Sequence, residues 1–331
     1  MKPAGTLLLT RRDVSSLLSI EECIVAVERA FKLHGEGKTL PPAILGLHAR
    51  NGGFHIKAGL MTLDKSYFAA KVNANFPQNV ARFDLPLVQG VIVLCDGDNG
   101  YPLALMDSIE ITIQRTGAAT AIAAKYLARS ESNSVAICGC GNQGRISARA
   151  LSTIFSLQHV FAYDADPARA QKFSRELSDE LGIEVEAVPE LAEAVRRSDI
   201  CVTCTPASQF FLKLEHVKPG TFVAAVGADS EDKQELDPRL VAASKLVVDV
   251  VDQCAAIGEL HHSLDSGLMT KSSVHAELGE VVAGSRPGRA SADEIIVFDS
   301  TGMALQDVVA AVAVYERAIA LGRGAQMNFA A

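Results

Sequence analysis

One short segment, residues 135–144, constrains the fold of this chain more than any other. It reads Val-Ala-Ile-Cys-Gly-Cys-Gly-Asn-Gln-Gly, so an apolar strand pattern runs directly into Gly-x-Gly-x-x-Gly and then into a helical pattern. In such a turn Gly139 permits the tight bend, Gly141 lets the backbone approach a pyrophosphate, and Gly144 lets the helix pack on its strand. The segment predicts a dinucleotide-binding turn rather than a glycine-rich turn of another α/β protein.

An acidic residue follows the glycine turn at the spacing that dinucleotide binding requires. The strand pattern of residues 159–163 ends at Asp164, where a carboxylate can accept hydrogen bonds from both ribose hydroxyls. Asn142 and Gln143 begin the helix, whose first N–H groups attract phosphate. Asp164 repels a 2′-phosphate, and the next two residues, alanine and aspartate, supply no arginine to hold one. We therefore expect NAD(H) as the cofactor, with NADP(H) as the alternative.

The central part of the chain has the rhythm of a doubly wound parallel sheet of the Rossmann type. Between residues 134 and 299, β-branched runs alternate with helical stretches, which is typical of parallel strands with crossover helices on both faces. The predicted strands are 134–138, 159–163, 183–187, 200–204, 222–226, 245–250 and 294–299. Ligands of such sheets bind beyond the carboxyl ends of the strands. We expect cofactor contacts at these ends from Thr205, Pro206, Val226, Gly227, Ser300 and Thr301.

The residues on either side of this region predict a second, α+β domain. Ser19 and Glu22 have the spacing of a capping box that opens a helix reaching about His34. The last helix is apolar on nearly all sides, so it must be buried against the N-terminal region or a partner subunit. Further strands are predicted at 53–57, 67–72 and 88–94, a hairpin turn at 96–100, and helices at 108–127 and 304–321.

These patterns predict two domains. Residues 1–115 and 304–331 are expected to form a substrate-binding and dimerisation domain, completed by the C-terminal helix. Residues 116–303 are expected to form the NAD(P)-binding Rossmann domain.

Composition argues against several classes of function. The net charge of -8 provides no basic field for nucleic acid or an anionic membrane. Apolar runs are too short to span a bilayer, and residues 1–13 lack the design of a signal peptide. The 7 cysteines are scattered and odd in number, which suits a reducing compartment, so we expect a cytoplasmic protein. The histidines show no metal-ligand spacing, and we expect no metal.

Two cations occur where the local pattern predicts burial. Lys71 lies in a strand that is otherwise apolar on both sides, and Arg115 lies inside the alanine-rich helix 108–127. Burying an unpaired cation is costly, so each of them needs an anion. A substrate carboxylate would supply it. The alternative is an internal salt bridge, for example with Asp84 or Glu110.

Three further side chains are candidates for the substrate site. Asp229 follows the strand 222–226, near the edge of the sheet where nicotinamide is expected, and is the best candidate for a general acid or base. Its alternative role is to cap a turn or a helix. His55 and Lys57 share one face of the strand 53–57 by alternation and could line the substrate pocket.

Seven segments, in order along nearly the whole chain, resemble the ornithine cyclodeaminase and mu-crystallin family. They are residues 70–77 (AKVNANFP), 87–90 (LVQG), 100–107 (GYPLALMD), 111–118 (ITIQRTGA), 226–229 (VGAD), 258–260 (GEL) and 297–307 (VFDSTGMALQD). The resemblance implies a homodimer built through the N-terminal domain, a Rossmann domain inserted before a returning helix, and an NAD or NADP cofactor. It also implies that Lys71 and Arg115 hold a substrate carboxylate and that Asp229 handles a proton.

The chain departs from the cyclodeaminase pattern at two places. Cyclodeaminases place the second amine of their substrate with an acidic residue on the strand before the lysine, whereas residues 54–61 contain no carboxylate. The family often has a carboxylate-binding arginine where residues 41–45 contain no cation, and Lys57 could replace it. A diamine substrate therefore loses its expected partner.

The expected reaction is hydride transfer from reduced nicotinamide to the C=N carbon of a small cyclic imino acid. The substrate would be Δ1-pyrroline-2-carboxylate or Δ1-piperideine-2-carboxylate, and the product L-proline or L-pipecolate. Lys71 and Arg115 would anchor the carboxylate while Asp229 protonates or hydrogen-bonds the nitrogen, so Asp229 and Lys71 are the expected catalytic residues. The alternatives are an ornithine cyclodeaminase, an alanine dehydrogenase-like enzyme and a mu-crystallin-like binding protein.

Overall fold

Two structural units make up the part of the chain that the computed structural model describes, residues 5–329. One unit contains residues 5–115 and 303–329, and the other contains residues 116–302. Each unit has its own β-sheet. The substrate and cofactor roles that the sequence assigns to these regions stay predictions.

Fifteen strands and twelve α-helices occur within residues 5–329. The strands are β1 (Thr6–Leu9), β2 (Ala43–Ala49), β3 (Gly52–Thr62), β4 (Ser66–Asn75), β5 (Val88–Asp96), β6 (Pro102–Asp107), β7 (Ser134–Cys138), β8 (His159–Tyr163), β9 (Glu184–Ala187), β10 (Ile200–Thr203), β11 (Phe222–Ala225), β12 (Lys245–Val248), β13 (Ala276–Glu277), β14 (Ile296–Asp299) and β15 (Ala325–Met327). The helices are α1 (Arg11–Leu17), α2 (Ile20–Gly35), α3 (Asn79–Phe83), α4 (Ser108–Leu127), α5 (Asn142–Ile154), α6 (Pro167–Leu181), α7 (Leu191–Arg196), α8 (Pro238–Ala243), α9 (Val251–Ile257), α10 (Glu259–Asp265), α11 (Leu278–Val282) and α12 (Ala304–Leu321). Within residues 5–329, no helix is both long and apolar enough to cross a bilayer.

The first unit contains a seven-stranded sheet in the order β15-β1-β6-β5-β4-β3-β2. Strands β2 to β6 pair antiparallel, as strands joined by short turns do, whereas β1 pairs parallel with β6. Alternation along β3 and β4 turns one face inward, with Met61 and Ala69 buried. Helix α12 packs on α2 and on this face. Gly59 permits the close approach, because a Cβ there would lie 2.9 Å from Leu305.

The helices predicted for this unit are confirmed. Helices α4 and α12 have the expected bounds, and α2 begins with the predicted capping box of Ser19 and Glu22. The first half of α12 is buried on all sides, as its composition predicts, although Ile319 and Leu321 near its end are exposed. The sequence does not predict β1, β2 or β15. Strand β2 is exposed along its whole length, and the other two are short, so none of them shows a clear alternation.

The second unit contains the predicted parallel sheet, which confirms the α/β fold class. Its eight strands are all parallel and lie in the order β13-β12-β14-β11-β10-β7-β8-β9. The predicted strands are all present, and only β13, with two residues, is missed because it is too short for a periodic pattern. Strands β7, β10, β11 and β14 are buried along their whole length, which is why they read as apolar runs.

The order of the strands creates a crevice beside β7. From β7 the chain moves outward to β8 and β9 on one side, then returns to add β10 and β11 on the other. Ligands of open α/β sheets bind at such a reversal, beyond the carboxyl ends of the strands. The glycine turn directly follows β7, so it lies at this crevice.

Candidate active site

The glycine turn has the backbone geometry that its sequence predicts. Gly139 has a φ of +113°, which L side chains rarely adopt, and a Cβ there would lie 2.9 Å from the Cys204 carbonyl oxygen. A Cβ at Gly144 would overlap the carbonyl oxygen of Gly139. At Gly141, by contrast, no atom of residues 5–329 lies within 4 Å of the Cβ position apart from the glycine and its neighbours in the chain. The turn is therefore tightly packed at its two ends and open at Gly141, where a pyrophosphate can approach.

Helix α5 begins immediately after the turn, and its N-cap residue is Gly141. Glycine has no side chain with which to cap the first N–H groups, so these groups can serve an anion. Asn142 is exposed and Gln143 is half-buried in this first turn. The start of α5 fits a phosphate, and contacts from Asn142 and Gln143 stay predictions.

A pocket of about 420 Å³ adjoins the glycine turn. Asp164, directly after β8, lies in its wall and accepts hydrogen bonds from the N–H groups of Cys140 and Asp166, at 2.9 and 3.0 Å. These bonds fix the orientation of the carboxylate, and its role in binding ribose stays a prediction. Pro206 and Phe211 add apolar surface to the wall. The open turn, the oriented carboxylate and the pocket together fit a dinucleotide.

Arg169, which lies on α6 and lines the same pocket, is not found by the sequence reasoning above. Its guanidinium is 3.9 Å from the Asp164 carboxylate, and 61% of its side chain is exposed. A cation at this distance weakens the repulsion between Asp164 and a 2′-phosphate. The sequence does contain a signal for this contact, because an arginine occurs in the first turn of the helix that follows Asp164. It lies beyond the alanine and aspartate that directly follow Asp164.

A buried carboxylate joins the ends of β10 and β11. Glu235 accepts hydrogen bonds from the N–H and hydroxyl groups of Thr205, at 2.6 and 2.8 Å, and from the N–H of Gly227, at 3.0 Å. Burial raises the pKa of the Glu235 carboxyl, and these hydrogen bonds, which favour its ionised form, oppose the shift. Pro206 and the half-buried Val226 are next to these residues in the chain. Two residues predicted to contact the cofactor, Thr205 and Gly227, thus donate to one carboxylate, which no local sequence pattern predicts.

Ser300 and Thr301 follow β14, as expected, but their side chains are buried. Their hydroxyls donate hydrogen bonds to Asp249, at 3.2 and 3.1 Å, and the N–H of Gly302 donates to the same carboxylate at 2.6 Å. Because these hydroxyls are engaged inside the unit, we expect the segment to shape the cofactor site through its backbone.

In the first unit, three predicted cations and one unpredicted carboxylate form a buried group, which we call the cation cluster: Lys57, Lys71, Arg115 and Asp307. The Nζ of Lys71, on β4, lies 2.8 and 2.7 Å from the two carboxylate oxygens of Asp307, on α12. The Nε of Arg115 lies 3.5 Å from the same carboxylate. Lys57 pairs directly opposite Lys71 in the sheet. Together, Lys71 and Arg115 carry more positive charge than Asp307 neutralises.

Electrostatics within the cation cluster make Lys71 sensitive to pH. Burial lowers the pKa of Lys71 to about 7, and Arg115 and Lys57 add to this effect while Asp307 opposes it. For Asp307, burial acts to raise the pKa, but attraction to Lys71 and Arg115 outweighs it and the pKa is lowered. Lys71 can therefore exchange a proton near neutral pH, and a bound anion would favour its charged form.

Gln306, the residue before Asp307, adds an amide to the same place. Its Oε1 accepts a hydrogen bond from Arg115 at 3.1 Å. Its buried Nε2 has no hydrogen-bond acceptor among residues 5–329. A buried donor without an acceptor is costly and needs an explanation, such as a ligand or a water. Lys71, Arg115 and Gln306 together can offer donors to a carboxylate.

The buried cations have an internal salt bridge, which is one of the two pairings that the sequence left open. The expected partners were a substrate carboxylate, which stays a prediction, or an internal carboxylate such as Asp84 or Glu110. The internal salt bridge is present, but its carboxylate is Asp307. Asp84 is exposed in a left-handed turn, and Glu110 accepts a hydrogen bond within α4. Asp307 belongs to a helix that follows in sequence only after the whole second unit, so local patterns could not reveal it.

Asp229 and His55 lie in less constrained surroundings. Asp229 is in the exposed loop after β11, and its carboxylate contacts the Nζ of Lys233 at 2.6 Å. His55 lies on β3, two residues before Lys57 and on the same face, and is half-buried. Their proposed roles stay predictions. So does the expected absence of a metal, although no group of three or more potential ligands occurs within residues 5–329.

The parallel sheet, the glycine turn, the oriented Asp164 and the pocket define a Rossmann-type dinucleotide-binding protein. Residues 5–321 match the model of the ornithine cyclodeaminase/mu-crystallin family. The chain therefore belongs to this family, as its ordered sequence segments predict.

Solved structures of three relatives share this architecture over nearly the whole chain. An archaeal alanine dehydrogenase dimer with bound NAD is 38% identical, has a TM-score of 0.94, and is matched over 98% of this chain and 99% of its own. The Δ1-pyrroline-2-carboxylate reductase of Thermococcus litoralis, in complex with NADH and L-proline, is 36% identical with a TM-score of 0.91, over 97% and 100% of the two chains. The iminosuccinate reductase of Paracoccus denitrificans, in complex with NAD+, is 31% identical with a TM-score of 0.90, over 98% and 100%.

Proposed function

We propose that the protein is an NAD(H)-dependent reductase of small cyclic imino acids, which converts Δ1-pyrroline-2-carboxylate or Δ1-piperideine-2-carboxylate to L-proline or L-pipecolate. The observation that carries the proposal is the cation cluster. It buries Lys71 and Arg115 around the single carboxylate of Asp307, and Gln306 adds a donor beside them. Such a group suits a substrate carboxylate.

The relatives support the class of reaction. A Δ1-pyrroline-2-carboxylate reductase and an iminosuccinate reductase both reduce a C=N bond, and their structures contain NADH and NAD+. The prediction of an NAD-dependent reductase acting on such bonds is thereby confirmed. The substrate, and with it a place in proline metabolism, stays part of our proposal.

The residues of this chain would divide the work as follows. Bound NADH supplies the hydride. Lys71, Arg115 and Gln306 bind and orient the substrate carboxylate, and Asp307 holds the Lys71 ammonium in place. Asp229 donates a proton, or a hydrogen bond, to the imine nitrogen, so that the electron pair displaced onto nitrogen is neutralised as the C–H bond forms. The Nζ of Lys233 donates to this carboxylate at 2.6 Å and favours its ionised form, so Asp229 must take up a proton and leave this contact before it can donate.

An alanine dehydrogenase is the second candidate, because the archaeal alanine dehydrogenase is at least as similar to this chain as either reductase. Reductive amination of pyruvate also passes through an α-imino acid, so the same donors would serve. Ornithine cyclodeamination is less well supported. Lys57 occupies the buried position opposite Lys71 and would repel the second ammonium of a diamine.

Initial rates with a panel of substrates would decide among these reactions. Oxidation of NADH and NADPH would be followed with each cyclic imine and with pyruvate plus ammonium, and ammonia release would be measured with ornithine. We expect the highest kcat/KM with a cyclic imine and NADH, with NADPH as the weaker cofactor. Faster turnover of pyruvate plus ammonium, or stoichiometric ammonia from ornithine without net NADH formation, would overturn the proposal.

We also propose that the protein is a homodimer assembled through the sheet of the first unit. Ile44, Leu45 and Leu47 on β2 and Phe54 on β3 are exposed, which is costly for a monomer. The related alanine dehydrogenase is a dimer. Light scattering of the purified protein should give twice the chain mass, and Leu45→Glu with Leu47→Glu should give the mass of one chain. A dimer unaffected by these changes would place the interface elsewhere.

A cytoplasmic location is proposed on the chemistry of the cysteines. All seven are free thiols, including Cys138 and Cys201, whose sulfur atoms lie 3.9 Å apart inside the core. Two thiols this near to each other remain unoxidised where the surroundings are reducing. Fractionation of the native host, with the protein found outside the soluble cytoplasmic fraction, would contradict this.

A further inference from the structure

Glu235 is a fully buried carboxylate to which the proposed reaction gives no role. Its relative exposure is 0%, and it accepts four hydrogen bonds within residues 116–302. The donors are the hydroxyl of Thr203 at 2.7 Å, the N–H and hydroxyl of Thr205 at 2.6 and 2.8 Å, and the N–H of Gly227 at 3.0 Å. Every partner donates, so the arrangement fits an ionised carboxylate, which can only accept.

These bonds close the loop that carries Asp229. Gly227 stands near the start of that loop and Glu235 at its end, so the bond between them joins the two ends of residues 227–235. The contact is close: a Cβ at Gly227 would lie 2.5 Å from the Glu235 carboxylate. Glu235 thus fixes the direction in which the loop that carries Asp229 extends from the end of β11.

The same carboxylate fixes the wall of the cofactor pocket. Thr205 lines the pocket, and a Cβ on Gly139 would meet its methyl group at 3.0 Å, so Thr205 packs directly against the glycine turn. Backbone hydrogen bonds of residues 234 and 235 also hold the pocket wall. The carbonyl oxygen of Glu235 accepts a hydrogen bond from the N–H of Phe211 at 3.0 Å, and the N–H of Gln234 donates to the carbonyl oxygen of Ala207 at 2.9 Å. Both Phe211 and Ala207 line the pocket.

Glu235 is itself held in place by a second buried carboxylate. Glu259, at the start of α10, accepts hydrogen bonds from the N–H groups of Glu235 and Leu236, at 2.7 and 3.1 Å, and is 1% exposed. The backbone of residue 235 is therefore anchored independently of its side chain. A change at the Glu235 carboxylate should release Thr205 and Gly227 while the backbone of residues 235 and 236 stays in position.

We propose that Glu235 is a positioning residue. It holds Thr205, in the wall of the cofactor pocket, and Gly227, at the start of the loop that carries Asp229, in a fixed position relative to each other. The inference about the pocket wall requires only dinucleotide binding, whereas that about Asp229 rests on the proposed function. Glu235 touches neither reactant. It acts through Thr205 and Gly227, which it holds beside the glycine turn and at the end of β11.

The substitution Glu235→Gln tests the proposal with little change of shape. An amide has one accepting oxygen and a donating NH₂ group, so donors on one side of the carboxylate lose their acceptor. A buried donor without an acceptor is costly, so Thr205 or Gly227 should move to find another partner, and the pocket wall should no longer be held in the shape that binds NADH. We expect the Kd for NADH, measured by fluorescence titration without an imine, to rise about tenfold. We also expect kcat to fall, whereas the KM for the imine, which depends on the cation cluster, should change little.

Thr203→Val is the matched control, because Thr203 donates to the same carboxylate from inside β10 and does not line the pocket. Both variants should lose thermal stability. Only Glu235→Gln should weaken NADH binding, and Thr203→Val should keep the Kd within about twofold. Equal weakening in both variants would show that Glu235 acts through general stability and would overturn the proposal, as would an unchanged Kd in folded Glu235→Gln.

A second pair of variants serves if Glu235→Gln does not fold. Thr205→Val removes one of the four hydrogen bonds, and Thr205→Ser retains the hydroxyl that makes it. We expect a several-fold rise in Kd with valine and recovery with serine, and equal Kd values for the two would overturn the proposal. Tight NADH binding without turnover of any imino acid would contradict the proposed function and leave the support of the pocket wall intact.

Discussion

Lys71 and Asp307 are 236 residues apart in the chain, yet their charged atoms lie 2.7 Å apart in the core of the first unit. The pair joins β4 to the helix that returns after the second unit. Arg115 and Lys57 surround it with further positive charge. A buried ion pair of this kind stabilises a fold only weakly against apolar alternatives, but it is strongly destabilising to break. Its position within a group of donors points to substrate binding.

Asp307→Asn should destabilise the protein more below neutral pH than above it. Removing the carboxylate leaves Lys71 and Arg115 without their buried partner, which costs about 3–5 kcal/mol when both are charged. Burial lowers the pKa of Lys71 to about 7 even though Asp307 opposes the shift, so losing Asp307 lowers this pKa further. Raising the pH therefore lets Lys71 lose its proton and relieves part of that cost. Denaturant unfolding about one pH unit on either side of 7 measures the difference.

The control for this change is Asp252→Asn, which breaks the exposed pair of Asp252 with Lys271. Exposed pairs contribute little, so its free energy of unfolding should hardly change at either pH. Equal effects of the two substitutions would show that the Lys71–Asp307 pair contributes no more to stability than an exposed ion pair.

Binding of a carboxylate ligand should weaken as the pH rises through the pKa of Lys71. Below about pH 7 the lysine is charged and attracts the anion, and above it the neutral amine does not. Affinity for an unreactive analogue such as pyrrole-2-carboxylate should therefore fall with rising pH, by at most about tenfold per unit. Calorimetry between about pH 6 and pH 9 measures this. In Lys71→Met the affinity should be low and nearly independent of pH, and a flat profile in the unmodified protein would contradict the role of Lys71.

Asp229→Asn should abolish most turnover while leaving the cofactor bound. An asparagine cannot donate the proton that the imine nitrogen requires, and losing a general acid reduces kcat by about 10²–10⁴-fold. The Kd for NADH should stay near that of the unmodified protein. Asp232→Asn, a neighbouring exposed carboxylate, serves as the control and should retain full activity. Near-normal turnover of Asp229→Asn would remove this residue from the mechanism.

Asp164→Asn should shift cofactor preference toward NADPH. The change removes the charge that repels a 2′-phosphate but keeps an oxygen that can accept from the N–H of Cys140 or Asp166. Arg169, 3.9 Å away, is then available to the phosphate. We expect the ratio of NADPH to NADH affinity to rise by about tenfold, since one charge-assisted contact is worth about 1.5–3 kcal/mol. Adding Arg169→Ala should cancel the gain, and a gain that survives it would exclude Arg169.

Substitutions of two glycines in the turn should have different effects, one on stability and the other on NADH binding. Gly144→Ala places a Cβ against the carbonyl oxygen of Gly139 and should destabilise the second unit. In Gly141→Ala the Cβ meets no atom of residues 5–329 within 4 Å beyond its neighbours in the chain, so thermal stability should be nearly unchanged while NADH binding weakens. Thermal unfolding and NADH titration of both variants check this. Unchanged NADH affinity in Gly141→Ala would place the pyrophosphate elsewhere.

The fold could be predicted wherever its signals were local. Strands β7, β10, β11 and β14 are buried along their whole length, so their sequences are apolar runs. The glycine turn predicted both the parallel sheet and a dinucleotide ligand. Helices α4 and α12 were recognisable from continuous composition, and α2 from its capping box. Strand β2 was not recognisable, because it is exposed along its whole length and has no inward face to pattern.

The sequence by itself determined the fold class, the dinucleotide turn and the burial of Lys71 and Arg115, because each follows from the order of neighbouring residues. Only the tertiary structure decided which groups meet. Asp307 became the partner of Lys71, Glu235 the acceptor for Thr205 and Gly227, and Arg169 the neighbour of Asp164. Burial requires that a charge or a hydrogen-bonding group find a partner. Which residue becomes the partner depends on how segments distant in the chain pack together. The local periodicity of the sequence does not predict that packing.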